Sequence, residues 1–393
     1  VKEAGTIYNL ATAKPEETTP VEDDDDNVVV NEDTSVTAKK IWEDNNNQDG
    51  IRPDTIELTL YADGTEYKDE KTNQTVKVTV IPEQKADNEW SYTFEKLPTY
   101  NKDGAKITYT VVETSIGDKY TTTYSEDGLT VTNSHTPATT SITVNKEWND
   151  NDDQDGKRPD SVSITLNATV ENSDGEEESI TLPSTVESTI TLNGENSWTY
   201  TWSGLDKYKN GQEINYTVAE TQVEDYNEPQ ITQTSKTENS YVYKVTNTHE
   251  VEKTSVTVNK DWQDKDNQDG KRPESITVKL LANGEQAKDA DGNDLVATIT
   301  PDANGNWTYT WSGLDKYKAG EKITYTVEEN AVENYNTPSE PITLEEAENG
   351  YIGTITNTHE VEKTSVTVNK DWQDGSNQDG IRPDSVSITL NAT

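Results

Sequence analysis

The chain contains no cysteine, no methionine and only one phenylalanine among its 393 residues. Without cysteine, neither a disulfide bond nor a thiolate zinc site can form, so a small extracellular β-domain would need another source of stability. The absence of methionine indicates a fragment or a mature segment of a longer protein. No apolar run is long enough to span a membrane, and no signal peptide is recognisable. We therefore expect any export signal or anchor to lie outside these residues.

Basic residues are also scarce, with 33 Lys and Arg against 75 Asp and Glu, which gives a formal net charge of −42. This charge repels nucleic acid and anionic membranes, so we expect no binding to nucleic acid and no membrane insertion. A hydrophobic content of 29% would by itself suggest disorder. However, the nine Trp and nineteen Tyr recur in regular alternation with Val, Ile and Thr. That pattern is typical of pleated, half-buried surfaces.

Internal repeats organise most of the chain. The segment HEVEKTSVTVNKDWQD occurs at 249–264 and again at 359–374, and TYTWSGLDKYK occurs at 199–209 and 308–318. Each repeat of roughly 110 residues contains several short alternating runs separated by turn signals such as ADG and ANG, without a helical period. The sequence therefore predicts an all-β protein of tandem immunoglobulin-like β-sandwich domains arranged as a rod.

The repeats also predict the domain boundaries. From the first residue onward we expect the last strand of a preceding surface domain (1–14), an acidic Pro- and Thr-rich linker (15–33), three complete repeats (34–137, 138–250 and 251–360) and the truncated start of a fourth (361–393). The Asp23–Asp26 run within the linker is interpreted as a solvated spacer.

Three polar residues recur where the β-pattern calls for apolar ones. Each complete repeat has a lysine two residues before a tryptophan in its opening strand, a glutamate ending an I-x-Y-x-V-x-E strand, and an asparagine two residues before a histidine in its closing strand. These are Lys40, Glu113 and Asn133; Lys146, Glu220 and Asn247; and Lys260, Glu329 and Asn357. Because residues two apart share a strand face, all three types should point into the core. Lys370 of the fourth repeat has no such partners in this sequence.

A buried amine, carboxyl and carboxamide can react with one another. Burial disfavours an unpaired ammonium, lowering the pKa of lysine and raising that of glutamate. We expect Lys260 Nζ to attack Asn357 Cγ while Glu329 carries the proton and ammonia leaves. Holding the groups together can lower the activation barrier by about 7–11 kcal/mol. The alternative is a buried Lys–Glu ion pair with a hydrogen-bonded asparagine and no covalent bond.

The combination VTVNKDW, NQDGKRPD, WTYTWSGLDKY, ITYTVEE and TNTH resembles the B-type repeat of the Cna collagen adhesin family of Gram-positive surface proteins and pilins. The resemblance covers about residues 34–393. It implies an inverse immunoglobulin-like sandwich with a Lys–Asn isopeptide bond between the first and last strands. It also implies that the glutamate belongs to a Y-x-x-x-E motif, matched by Tyr109–Glu113, Tyr216–Glu220 and Tyr325–Glu329.

Residues 1–14 look like the closing strand of a different isopeptide-forming surface domain. In that interpretation Asn9 would be the partner of a lysine that is not in this sequence.

The family resemblance implies a structural stalk of a bacterial cell-wall surface adhesin that projects an adhesive domain from the cell. We expect an extracellular protein, anchored to the cell wall by a segment outside this sequence, with a host matrix or cell-surface ligand bound by another domain. The alternative is that the repeats themselves bind a host matrix protein or self-associate. Turnover catalysis is not expected, because each cluster reacts once with itself, and no cofactor is implied.

Three other patterns suggest functions that we do not expect. The series Asn151, Asp153, Asp155 and Gly156 is similar to a calcium loop but lacks the glutamate at the twelfth position, so we expect a turn and no metal. LPSTV at 182–186 is similar to a sortase signal but has valine in place of glycine and no following apolar stretch. His135, His249 and His359, two residues after each asparagine, are expected to pack at strand ends.

Overall fold

The computed structural model describes residues 6–13, 21–29, 33–82, 87–172 and 174–392, with only the backbone described in the first two segments. All regular elements among these residues are β-strands, and none of the described residues belongs to a helix that could cross a membrane. The chain forms two compact units. One contains Val1–Asp152 and Lys157–Glu250, and the other contains Asp153–Gly156 and Val251–Thr393.

The N-terminal segment forms a two-stranded antiparallel sheet of β1 (Thr6–Ala13) and β2 (Val21–Val29), with Thr6 opposite Val29. The acidic run that we expected to be a solvated spacer therefore lies in a strand. Pairing uses backbone groups alone, so an acidic side-chain sequence does not prevent it. The rest of the expected linker before Asp33, and the Asn9 side chain, lie outside what the structure describes.

The first repeat is a two-sheet sandwich. Its strands are β3 (Asp33–Glu43), β4 (Ile56–Ala62), β5 (Thr65–Glu66), β6 (Lys77–Val80), β7 (Glu89–Pro98), β8 (Tyr109–Glu113), β9 (Thr121–Tyr124) and β10 (Thr130–Ser134). One sheet has the order β7-β3-β10-β9, and the other has β5-β4-β6 with β8 also paired to β4. The first and last strands of the repeat, β3 and β10, are parallel neighbours.

The second repeat has the same arrangement. Its strands are β11 (Thr139–Asn149), β12 (Ser161–Glu171), β13 (Glu177–Ser179), β14 (Thr189–Asn193), β15 (Thr199–Asp206), β16 (Tyr208–Lys209), β17 (Gln212–Glu213), β18 (Asn215–Glu220), β19 (Gln230–Lys236) and β20 (Ser240–Thr248). Its sheets are β15-β11-β20-β19 and β13-β12-β14 with β18 on β12, and β16 and β17 form a separate hairpin.

The third repeat again places its first and last strands side by side. Its strands are β21 (Lys253–Gln263), β22 (Ile276–Ala282), β23 (Glu285–Gln286), β24 (Val296–Ile299), β25 (Thr308–Asp315), β26 (Tyr317–Lys318), β27 (Glu321–Lys322), β28 (Tyr325–Glu329), β29 (Ile342–Thr343), β30 (Glu345–Ala347) and β31 (Gly350–Thr358). Its sheets are β25-β21-β31-β30 and β23-β22-β28-β29 with β24 on β22, and β26 and β27 form a hairpin.

The core of each repeat lies between its two sheets and follows from the alternation of side chains. In β12, Val162, Ile164 and Leu166 are buried while their neighbours face outward. These side chains pack with Ile142 and Val144 of the opposing sheet. The fold class is therefore confirmed as tandem all-β sandwiches of the immunoglobulin-like type.

Residues 361–392 form no β-strand. In the third repeat, the equivalent opening strand β21 is paired on both sides, with β25 and β31. The counterparts of those two partner strands are not among residues 361–393. A strand is defined by its paired backbone groups, so the opening segment of the fourth repeat is left without a ladder.

Candidate functional site: buried lysine–glutamate–asparagine clusters

The opening and closing strands of the first repeat bring Lys40 and Asn133 to the same part of the core. In the parallel pairing of β3 and β10, Lys40 lies opposite Val131, and Trp42 lies opposite Asn133. Residues two apart share a face, and all four side chains are buried. Glu113 is the last residue of β8 in the other sheet. The lysine and asparagine therefore meet the glutamate across the interface between the sheets.

The Glu113 carboxyl contacts both of the other groups. Its Oε1 lies 3.8 Å from Lys40 Nζ, and its Oε2 accepts a 2.8 Å hydrogen bond from Asn133 Nδ2. The Lys40 and Glu113 side chains are each only 1% exposed. Lys40 Nζ also donates to the carbonyls of Ile41 and Val131. The three groups thus form one cluster that is closed to solvent.

The second and third repeats contain the same cluster. The Lys146 Nζ to Glu220 Oε1 distance is 3.9 Å, and the corresponding distance between Lys260 and Glu329 is 4.0 Å. The asparagine of each closing strand, Asn247 in β20 and Asn357 in β31, again lies opposite the tryptophan of the opening strand. Both asparagines are fully buried. Within the described part of the chain, neither carboxamide makes a hydrogen bond of normal geometry.

Burial moves the pKa values of the lysines and the glutamates toward each other. Desolvation lowers the pKa of Lys40, Lys146 and Lys260 to about 8 in each case, although the facing glutamate partly opposes this. Desolvation likewise raises the pKa of Glu113, Glu220 and Glu329, opposed by the facing lysine. Both changes favour the neutral forms, a free amine and a protonated carboxyl, which are the forms that amide formation needs.

A second buried network lies next to the first cluster, and we did not predict it from the sequence. Arg52 forms a bidentate ion pair with Asp44, with Nε donating at 3.0 Å and Nη2 at 2.5 Å. The Tyr120 hydroxyl donates to the same carboxylate at 2.8 Å. The Trp42 ring contacts both cations, since Lys40 Nζ lies 4.2 Å and Arg52 Cζ lies 5.1 Å from its centroid.

This network recurs with equivalent residues in the other complete repeats. They are Asp150, Arg158 and Tyr226, and Asp264, Arg272 and Tyr335. A W-x-D motif and an R-P pair after each Q-D-G were visible in every repeat, but we interpreted the segment only as a turn. The network fixes the loop that directly follows each tryptophan-bearing strand, at the end where the indole ring lies against the buried lysine.

The loop whose sequence is similar to a calcium loop forms a compact turn. No group of three or more histidine or acidic side chains that the structure describes is placed to bind a metal ion. In the first repeat, the corresponding loop uses Asp44 Oδ1 to accept from the Asn47 amide, and Asn45, Asn46 and Asn47 all adopt left-handed backbone conformations. These are the properties of a compact turn.

Comparison with known proteins identifies the family. The family model for the Cna protein B-type domain matches residues 36–134, 142–248, 256–358 and 366–393. The chain belongs to the Cna B-type domain family. This confirms the resemblance inferred from the motifs.

The chain is similar to a collagen adhesin of Staphylococcus aureus, with 40% identity over 362 residues. The match spans 91% of this chain but 26% of the adhesin. A solved structure of two B repeat units (B1B2) of the Staphylococcus aureus collagen binding protein Cna is 39% identical, with 90% of this chain and 80% of that chain covered and a TM-score of 0.43. The single B1 repeat unit of the same protein is 36% identical, with coverage of 56% and 99% and a TM-score of 0.22.

Proposed function

We propose that each complete repeat forms its own covalent amide between the opening and closing strands. The bonds join Lys40 to Asn133, Lys146 to Asn247 and Lys260 to Asn357, and Glu113, Glu220 and Glu329 carry the protons. The observation that best supports this chemistry is the Glu113 carboxyl, which is 1% exposed and lies 3.8 Å from the amine and 2.8 Å from the carboxamide nitrogen.

The reaction balances without any other reagent. The neutral Lys40 amine attacks Asn133 Cγ, and an Nζ–Cγ bond forms while the Glu113 carboxyl stabilises the developing charge on the carboxamide oxygen. Glu113 takes a proton from Nζ and delivers one to Nδ2, with which it is already hydrogen bonded. The Cγ–Nδ2 bond then breaks, ammonia leaves, and the carboxyl returns to its starting state. Neither oxidation nor reduction takes place.

The reaction also removes polar groups that are costly to bury. Asn247 and Asn357 make no normal hydrogen bond among the described residues, and a buried polar group without a partner costs about 1–3 kcal/mol. Amide formation replaces an amine and a carboxamide by one secondary amide and releases the excess hydrogen-bond donors as ammonia. An unreacted cluster therefore leaves the core less well satisfied than a reacted one.

We propose that the cross-linked repeats are the stalk of a cell-surface adhesin. The bond would join two parallel neighbouring strands, β3 and β10, so tension entering by the first strand and leaving by the last would pass through it. The similar Staphylococcus aureus protein is a collagen adhesin, and this chain corresponds to about a quarter of its length. The stalk would be extracellular and wall-anchored, with anchor and ligand-binding domain in other segments, and a turnover activity is not proposed.

Peptide mapping of the denatured, digested chain tests the chemistry. We expect a branched peptide that contains both Lys40 and Asn133, with the mass of the two parts less one ammonia. The matched variant Glu113→Gln should give the two peptides separately while the branched peptides of the other repeats persist. Separate, unmodified peptides from all three repeats would contradict the proposal.

A further inference from the structure

The loop that follows the first tryptophan of each repeat ends in Gln-Asp-Gly and contacts the repeat that comes next. In the first unit, Asp49 Oδ2 accepts a 2.9 Å hydrogen bond from the Ala138 amide, in the segment that leads into the second repeat. The same oxygen lies 2.9 Å from His135 Nε2. The other ring nitrogen, Nδ1, lies 2.9 Å from the Lys119 carbonyl oxygen.

A second contact joins the same loop to a turn of the second repeat. The Gly211 amide, between β16 and β17, donates to the Gln48 carbonyl at 2.9 Å. The two backbones touch, because a Cβ added to Gly211 would lie 3.0 Å from Gly50 Cα, and one added to Gly50 would overlap Gly211 Cα. Both glycines have positive φ angles, 69° and 81°. Glycine is therefore needed on both sides, for conformation and for space.

The second unit contains the same pair of contacts. Asp155 Oδ2 accepts from the Glu252 amide at 2.6 Å. The Gly320 amide donates to the Gln154 carbonyl at 3.0 Å, and a Cβ on Gly156 would lie 2.6 Å from Gly320 Cα. Two different linker sequences and two different turns thus make equivalent contacts with the Gln-Asp-Gly loop.

Two positions show what happens when only half of this arrangement is present. Asp269 accepts from the Glu362 amide and contacts His359 Nε2, yet a Cβ on Gly270 would have no described atom within 4 Å. The matching glycine turn of a fourth repeat is not among residues 361–393. Gly104, in the corresponding turn of the first repeat, likewise has no described atom near its Cβ position.

We propose that the Gln-Asp-Gly loop is a docking surface for the following repeat, which it holds at two points: the linker amide on the aspartate and the glycine turn on the glycine. In a chain with a complete fourth repeat, the glycine turn of that repeat would occupy Gly270. This docking explains the constant 13-residue interval from each closing asparagine to the next opening lysine, because a longer or shorter linker would separate the two points. It does not depend on whether the isopeptide bonds form.

Amide hydrogen exchange in the full chain tests the docking. Each substitution removes one of the two contacts, and the exchange rate is measured at the amide of the other contact. Gly50→Ala blocks the glycine contact, and we expect exchange at Ala138 to become about tenfold faster. Asp49→Ala removes the linker contact, and we expect a similar increase at Gly211. Exchange of core amides such as Val144 should stay unchanged. Gly270→Ala, at the same loop position with a φ of 65° but no described atom within 4 Å of the added Cβ, is the matched control. It is read at the Glu362 amide, which its own loop binds through Asp269, and exchange there should stay unchanged.

Three results would overturn the docking proposal. The first is free exchange of the Ala138 and Gly211 amides in the unsubstituted chain. The second is that Gly50→Ala and Asp49→Ala each leave the opposite contact protected, which would make the two contacts independent. The third is an equal acceleration at the Glu362 amide in Gly270→Ala, which would assign the change to backbone strain in the loop. If Gly50→Ala does not fold, Asp49→Ala alone decides the matter through exchange at Gly211.

Discussion

Two adjacent glutamates in β28 allow a sharp test of the proposed chemistry. Glu329 is buried with Lys260 4.0 Å away, whereas the Glu328 side chain is 43% exposed and lies 3.4 Å from Lys279 on the outer face. Glu329→Gln keeps the shape of the side chain but removes the group that carries the proton. We expect this variant to lose only the bond of the third repeat, and Glu328→Gln to keep all three.

The loss of stability follows from the length of chain that the bond encloses. The Lys260–Asn357 bond closes a loop of about 100 residues, for which a cross-link contributes about 4.7 kcal/mol by restricting the unfolded chain. We therefore expect Glu329→Gln to lower the free energy of unfolding of the third repeat by about that amount. Loss of the exposed Glu328–Lys279 pair should cost about 0–1 kcal/mol.

Urea unfolding with pulse proteolysis, read by peptides from each repeat, measures this difference. The first and second repeats serve as internal controls in the same molecule. Similar stability of the third repeat in both variants would refute the reasoning about the cross-link. The intact mass of Glu329→Gln should fall short of its calculated mass by one ammonia molecule fewer than that of the unsubstituted chain. An equal shortfall in both chains would refute the assigned role of Glu329 itself.

Three further results are expected. Arg52→Met leaves the buried Asp44 carboxylate unpaired and should destabilise the first repeat by about 3–5 kcal/mol in thermal unfolding; an unchanged melting temperature would contradict this. The Asn334 carbonyl and Asp269 raise the pKa of His359, so this contact contributes its full stability below the ordinary histidine pKa, and that contribution is lost as the pH rises through the raised value. Asp269→Asn should lower the pKa of His359 in an NMR titration, and an unchanged pKa would argue against the contact. The purified chain should not bind collagen in a surface plasmon resonance assay, whereas saturable binding would favour adhesive repeats.

The clusters could be predicted because strand periodicity is a strong constraint. A period of two residues assigns Glu329 rather than Glu328 to the core face, and the structure places them on those faces. The same rule directs Lys40 and Asn133 inward, although Lys40 lies in the strand that opens the repeat and Asn133 in the strand that closes it. What the pattern could not supply was the distance between the side chains, which depends on how the two sheets pack.

Contacts between distant loops could not be predicted from periodicity. Tyr120 reaches Asp44 across 76 residues of sequence, and only the closed sandwich brings these loops together. The contact between Gly50 and Gly211 likewise joins two repeats, and strand periodicity within one repeat carries no information about it. The strand pairing of Asp23–Asp26 was missed because charge patterns describe side chains, whereas β-pairing is made by the backbone.

The intact mass of the denatured chain is the most direct test of the central claim. Three formed bonds predict a mass lower than that calculated from the sequence by three ammonia molecules, with Lys370 still a free amine. A mass equal to the calculated value would contradict the account. The three clusters would then be buried ion pairs beside asparagines, and the sandwiches would have no covalent link between their first and last strands.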